Sequence, residues 1–305
     1  MNSRYFALPA SRRCEGFEML FGDRADGKLV RDVSTTRRFM PYIMPRRGDA
    51  ALYMIQKIDV SETQAYLERW NDGARPKLSL VHIILAAYVR MYGDHPDFNG
   101  FIAGGRLYRR NDVTISMAVL KSRGDDARAT TVKQTYEPSE GLTKTGRRVT
   151  EIIAAGRADA MTAAEREMDL LLRLPGWLIS IVLKLQKIGD WLNVTPVMFA
   201  RNDPLYASML VAFHGSVGLD AAYHHLFEHG TISIISAIGP VRDEVVVNDK
   251  RETEVRPILT VRYSGDERVF EGHYAASSVA SFKKYVESPW LLETPDDSGP
   301  GAPNT

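Results

Sequence analysis

A single cysteine, Cys14, stands among 305 residues. That excludes an intramolecular disulfide framework and any metal site built from several thiolates. An excess of charge of one sign is missing too: 39 Lys and Arg face 38 Asp and Glu. No global field therefore draws the chain to nucleic acid, and basic doublets such as Arg12-Arg13, Arg37-Arg38 and Arg109-Arg110 are scattered rather than striped. The amino-terminal stretch MNSRYFALPASRRCEG has no apolar core of a secretory signal, so cytoplasmic residence is the expectation, and the sequon Asn193-Val194-Thr195 carries no meaning without such a signal. No phosphate-cradling G-x-x-x-x-G-K-[ST] string occurs, which leaves nucleotide hydrolysis without support.

What is present is ordinary globular material, 44% apolar and 25% charged. Residues 1–32 read as a polar amino-terminal arm, residues 33–293 as the core, and 294–305 (TPDDSGPGAPNT) as a disordered tail with little to bury. Ala51–Val60 alternates like a half-buried strand, and Ser61 offers an N-cap for a helix through Trp70. Lys77–Tyr92 aligns Leu78, Val81, Leu85, Tyr88 and Tyr92, with further apolar residues on its flanks, and predicts a largely buried helix. Short strands joined at Gly104-Gly105 are expected over Phe101–Leu120, with further strands at Met209–Phe213, Thr231–Ile238, Glu244–Val247 and Ile258–Tyr263. A final helix is expected over Tyr274–Val286. Without a regular alternation of strand and helix, the fold class is α+β with a mixed sheet.

Residues 164–192 stand apart as a helical insertion. Leu178, Ile181, Val182, Leu185, Ile188 and Leu192 recur at helical spacing, opposite Ser180, Lys184 and Lys187. Arg173, Lys184, Lys187 and Asp190 interrupt the run and Pro175-Gly176 splits it, short of the about 20 apolar residues of a spanning helix. The plain reading is a helix packed on the domain or on a partner subunit. The Trp177 and Lys pattern also suits, as the second reading, contact with a membrane surface, which would make the protein peripheral to a membrane, or a lid over an apolar substrate.

Four of the seven histidines cluster at His214, His224, His225 and His229. His225-Leu-Phe-Glu228-His229 matches the inverted zincin string, with two ligands on one helical face and Glu228 as base. Gly230 and the β-branched run after it would end that helix on its last ligand, and no third ligand follows, so the metal reading ranks third and ordinary hydrogen-bonded histidines come first. Ser216, between Gly215 and Gly218, has the wrong spacing for a nucleophile elbow.

The segment Arg256 to Glu293 is the most informative. A strand runs into Asp266-Glu267-Arg268-Val269-Phe270-Glu271-Gly272, then a helix, then Leu291-Leu292-Glu293-Thr-Pro. This resembles the end of the catalytic core of 2-oxoacid dehydrogenase dihydrolipoyl acyltransferases, relatives of chloramphenicol acetyltransferase, whose signature is D-H-R-x-x-D-G, a helix and L-L-E-x-P. Upstream pieces agree in order. Arg37-Arg38-Phe39-Met40 resembles the motif that begins the core, and His95-Pro96-Asp97-Phe98-Asn99 the helix end P-x-x-N. Gly215 to Asp220 resembles the L-G-x-x-G-x-D turn, and Ser236-Ala237-Ile238-Gly239 the L-G-V-G strand. The resemblance covers about residues 33–293. No lipoyl or subunit-binding module is recognised ahead of it, so the expectation is a stand-alone core.

The resemblance implies a chloramphenicol acetyltransferase-like two-layer sandwich, a homotrimer with sites between subunits, and a coenzyme A thioester as co-substrate, with small-molecule acyl donor and acceptor and no covalently bound cofactor. In the family, the histidine of D-H-R is the general base; here Glu267 holds that position, and a glutamate of reference pKa about 4.3 is a weak base unless burial raises it. The family's oxyanion-stabilising hydroxyl falls on Ala212, a loss that typically costs about 10²–10³ in rate. His214 is then a substitute donor, and His224 and His225 lie where the family segment lines the substrate channel. Asp266 and Arg268 are retained as bracing residues, and Glu271 is expected to pair with Arg37 or Arg38. Two readings result: acyl transfer through a non-standard site, or a non-catalytic relative that binds a coenzyme A ester, a lipid or a protein partner.

Overall fold

The computed structural model describes residues 22–73, 75–121, 129–158, 161–194 and 197–297. In chain order the elements are β1 (Gly27–Leu29), α1 (Thr35–Ile43), β2 (Ala51–Asp59), α2 (Ser61–Asp72), α3 (Leu80–Asp94), β3 (Gly100–Ala103), β4 (Arg106–Arg110), β5 (Val113–Leu120), β6 (Ala129–Tyr136), α4 (Leu142–Arg157), α5 (Ala163–Leu172), α6 (Gly176–Leu192), α7 (Val197–Asn202), β7 (Met209–Phe213), β8 (Ile234–Val247), β9 (Thr253–Asp266) and α8 (Gly272–Glu287). A six-stranded sheet in the order β2-β9-β8-β7-β5-β6 forms the body, beside a small sheet β1-β4-β3. β7 runs parallel to both β5 and β8, and the other pairs are antiparallel. The mixed sheet and the α+β class are as the sequence implies.

One face of the large sheet carries the core. α3 is apolar on nearly every side because it lies between that sheet and its neighbouring helices, with Ile83, Leu85, Ala87, Tyr88 and Val89 at or below 1% exposure. Tyr88 stacks on Phe282 of α8 at 4.0 Å between ring centroids and shares a 2.5 Å hydrogen bond with Ser236 of β8. α3 starts at Leu80 rather than Lys77 because the Asn71 side chain takes up the N–H and C=O of Leu78, after which Ser79 and His82 close a reciprocal capping box.

Several expectations are corrected. Thr231–Ile238 and Glu244–Val247 are not two strands: β8 is one 14-residue strand starting at Ile234. The Gly239-Pro240 pair within it sits in a register shift between Ile238 and Val241, where a proline without an N–H is tolerated. Thr231 and Ile232 stay outside the ladder because their backbone is bound elsewhere. Leu205 accepts the N–H of Thr231 and Ile232, and Arg110 and Arg47 take the carbonyls of Thr231 and Ile232. Within the supposed arm, Gly27–Leu29 pairs with β4; residues 1–21 lie outside the described residues. The tail begins later than expected, since Asp297 is 3% exposed and its carboxylate accepts the N–H groups of Leu142 (3.0 Å), Thr143 (2.7 Å) and Thr294 (2.8 Å). It thereby caps α4, whose own N-cap residue, Gly141, has no side chain to do so. Residues 298–305 lie outside the described residues.

The insertion is a helical hairpin, α5 and α6, split at Pro175. No helix among the described residues is long and apolar enough to cross a membrane.

Candidate functional site

β9 ends in the 266–271 turn, which is built around a buried ion pair. Asp266 is fully buried and Arg268 is 4% exposed. Arg268 donates in a fork to both carboxylate oxygens, Nε to Oδ1 at 2.8 Å and Nη2 to Oδ2 at 2.7 Å, and Nη1 reaches the Met44 carbonyl at 2.9 Å. Arg37 of α1 donates to the Val269 carbonyl in the same turn. Burial lowers the pKa of Arg37, an effect opposed by the nearby charges of Glu271 and Asp97. The direct ion pair expected between Glu271 and Arg37 or Arg38 does not form among the described residues; Arg38 and Glu271 are exposed.

Held by this turn, Glu267 is exposed, its backbone N–H on the Ala50 carbonyl at 2.9 Å. Its carboxylate meets no hydrogen-bond or salt-bridge partner among the described residues. Ala212 lies on β7, on the sheet face that the core helices do not cover, in one row with Ala118, Ala237, Arg262 and Ile55. Asp266 is level with Ser233 through its N–H, whereas Ala212 is level with Ala237, four residues further along the β8 direction. That separates the two positions by roughly 13 Å along the strand direction, in addition to the width of the intervening strand β8, within one chain.

The histidines disperse. Nδ1 of His214 stands 3.1 Å from the Ala222 backbone nitrogen, whose N–H it accepts in one tautomer, and 3.3 Å from the Asp220 carbonyl, to which it donates in the other. His224 and His225 stack at 4.6 Å, Nδ1–H of His224 donating to the His225 carbonyl at 2.9 Å, and both rings pack on Phe227. The inverted zincin reading fails because the segment is not helical. Arg262 binds the Ala221 carbonyl, and the Glu228 carboxylate accepts the backbone N–H groups of Arg47 (2.9 Å) and Gly48 (3.3 Å), while His229 Nε2 pairs with Asp203 at 2.6 Å. Among the described residues no group of three or more candidate ligands gathers. Ser216 donates to the Phe213 carbonyl at 2.7 Å.

A cavity of about 400 Å³ opens beside the turn, between α6, the β3–β4 turn and residues 228–231, with Arg47, Arg268, Lys184, Lys187, Tyr206 and Trp191 in its wall. Arg47, 6% exposed, braces the cavity floor through the carbonyls of Gly230 and Ile232. Burial lowers its pKa against the pull of Asp266. Tyr206 donates to Asp190 of α6, which also binds Arg24. Behind it the half-buried Lys133 amine donates to backbone carbonyls at Ala200 and Tyr206, and burial pushes its pKa down to about 8. None of this network was singled out from the sequence. Arg47 is one of a scattered doublet, Arg46-Arg47, and a doublet does not say which member turns inward.

The family model of the 2-oxoacid dehydrogenases acyltransferase (catalytic domain) matches residues 226–294. Among solved structures, the chain resembles a dihydrolipoamide acetyltransferase of Azotobacter vinelandii at a TM-score of 0.56 and 15% identity, covering 94% of this chain and 99% of that one. It resembles a probable dihydrolipoamide acetyltransferase of Listeria monocytogenes (TM-score 0.55, 14% identity, 88% and 97% covered) and a chloramphenicol acetyltransferase (0.55, 12%, 88% and 100%). No curated protein matches the sequence. Residues 226–294 thus match the acyltransferase catalytic domain of the 2-oxoacid dehydrogenases, and the chain carries a chloramphenicol acetyltransferase-like fold.

Proposed function

We propose that the protein transfers an acyl group from a coenzyme A thioester to a thiol or hydroxyl acceptor, with Glu267 as the base. The observation that carries this reading is the buried Asp266–Arg268 fork, which fixes the turn and leaves the intervening Glu267 free to face a substrate. In the Azotobacter vinelandii enzyme a serine, a histidine and an asparagine have been investigated for their role in catalysis, the last two four residues apart. Glu267 and Glu271 keep that spacing. The acceptor's proton passes to the Glu267 carboxylate as its oxygen or sulfur bonds to the thioester carbonyl. The tetrahedral intermediate then expels the coenzyme A thiolate, which takes the proton back. With no hydroxyl at Ala212, the Nε2–H of His214 is the donor proposed for the intermediate's oxyanion, and His224 and His225 line the approach.

The separation of Glu267 from Ala212 and His214 within one chain implies a site shared between subunits, and a homotrimer is the assembly proposed. Its contact surfaces are the helix-free sheet face, where Tyr53 and Ile55 are about half exposed, and the β8–β9 hairpin. In that hairpin Val245 and Val255 face each other across the ladder at 71% and 67% exposure.

The second reading, a binding protein without turnover, is favoured by the lack, among the described residues, of a group that orients the Glu267 carboxylate. Thermal unfolding against coenzyme A and a panel of its thioesters, followed by turnover of Glu267→Gln, separates the two. Acyl-dependent stabilisation with turnover lost in the variant supports transfer. Full activity in the variant excludes Glu267 as base, and ligand stabilisation with no turnover in the wild type selects the binding reading.

A further inference from the structure

The α5–α6 hairpin leaves an apolar surface uncovered: neither helix buries a single residue. On α6, Leu178, Val182, Gln186 and Asp190 turn toward the body, half-buried, while the opposite arc presents Trp177 (67% exposed), Ile181, Leu185 (61%) and Ile188 (53%). Trp177 and Trp191 stand near the two ends of this helix. At its carboxyl end the patch continues onto α1, because the Trp191 carbonyl lies beside Gly104 and the Tyr42 ring beside Gly105, so the two helices straddle one turn. Tyr42 is 70% exposed.

Charge says what this face is built to meet. Residues 161–194 contain four acids, and each is engaged within the chain: Glu165 by Lys121, Glu167 by Asn202, Asp169 by Arg173, and Asp190 by Arg24 and Tyr206. Lys184 and Lys187 flank the apolar arc and form no ion pair among the described residues. The hairpin thus offers an apolar stripe edged by uncompensated cations and terminal tryptophans, the chemistry of a helix lying in the plane of an anionic bilayer. A second copy of the chain would bring the same cations to a self-complementary contact and leave them facing each other, which argues against it as the occupant.

We infer that the α5–α6 hairpin seats this protein on an anionic lipid surface, with the Trp177–Ile188 arc at the boundary of headgroups and acyl chains and Lys184 and Lys187 at the level of the phosphates. The inference does not depend on acyl transfer, since it is tested without a thioester. The full chain is sedimented with vesicles of phosphatidylcholine, with and without phosphatidylglycerol, and Trp fluorescence is followed in a Trp290→Phe background. Binding to the phosphatidylglycerol vesicles with a blue shift is expected. Lys184→Glu with Lys187→Glu should weaken it by at least about 30-fold, from roughly a fivefold contribution per lysine, and Leu185→Glu with Ile188→Glu should abolish it. All four positions are exposed, so both double variants should keep the wild-type melting temperature and light-scattering mass. Absence of binding, or binding indifferent to phosphatidylglycerol and to the two lysines, overturns the inference. So does a change of oligomeric mass in the Leu185/Ile188 variant without vesicle binding by the wild type, which would assign the face to a second copy.

Discussion

Replacing Arg268 by methionine tests whether the buried fork holds the turn that presents Glu267. The variant removes three donated bonds, two to Asp266 and one to the Met44 carbonyl, and leaves a fully buried carboxylate without its main partner. Breaking a buried pair from one side costs about 3–5 kcal/mol. At about 2–3 °C per kcal/mol for a chain of this size, the melting temperature should fall by roughly 6–15 °C. Removing both charges in Asp266→Leu with Arg268→Met should restore part of that loss, because the desolvation of the pair disappears with it. Recovery should remain incomplete, since Arg47 draws on the same carboxylate. Urea unfolding of the wild type, both single variants and the double variant gives the coupling, expected at about 1–3 kcal/mol. A loss below about 1 kcal/mol in Arg268→Met, or strict additivity in the cycle, would refute the argument that the fork is a buried, mutually dependent pair.

Asp297→Ala should destabilise the protein by about 1–2 kcal/mol at neutral pH, the cost of an N-cap, read as a drop in melting temperature. Burial alone would raise the Asp297 pKa, but the N–H groups of Thr143 and Thr294 hold it below the usual carboxylate value. The contribution is therefore fully present above about pH 4, the unfolded value, and is lost as pH falls through the lower folded value. Wild type and variant should converge there in thermal unfolding across pH; a gap that persists well below pH 3 would contradict the charge-dependent part of the cap. Gly104→Ala meets two obstacles, a backbone φ of +54° and a Cβ that would stand 2.6 Å from the Trp191 carbonyl oxygen. About 1–3 kcal/mol of strain is expected, together with faster proteolysis near residues 176–194; unchanged cleavage would show that the turn does not anchor α6.

Periodicity was enough for elements whose burial is written in apolar residues: β2, α3 and α8 appear close to where their patterns place them. It missed α4 because the buried stripe of that helix, Leu142, Thr145, Gly146, Val149, Ile152 and Gly156, holds the helical period with a threonine and two glycines at key points. Those glycines are there for proximity, as a Cβ on Gly146 would meet Leu78 and one on Gly156 would meet Val119. β6 escaped for a related reason, being an edge strand rich in threonine. The 266–272 motif was legible as a string, but its division of labour was not. That Asp266 and Arg268 turn inward as a pair while Glu267 faces out depends on the partners brought by Met44, Arg47 and Ala50, more than 200 residues away in the chain.

The amino-acid sequence by itself determined the fold class, the motif by which residues 226–294 match an acyltransferase catalytic domain, and the split amphipathic insertion, because each is carried by local pattern and spacing. Tertiary structure decided where polar groups end up. The β-branched pair Thr231-Ile232 has strand propensity, yet Leu205, Arg110 and Arg47 claim its backbone. The string His225 to His229 has helical ligand spacing, yet Glu228 and His229 are drawn to Arg47, Gly48 and Asp203. The physical reason is the same in both: a buried hydrogen-bonding group must be satisfied, and distant residues can offer partners that outweigh a local preference.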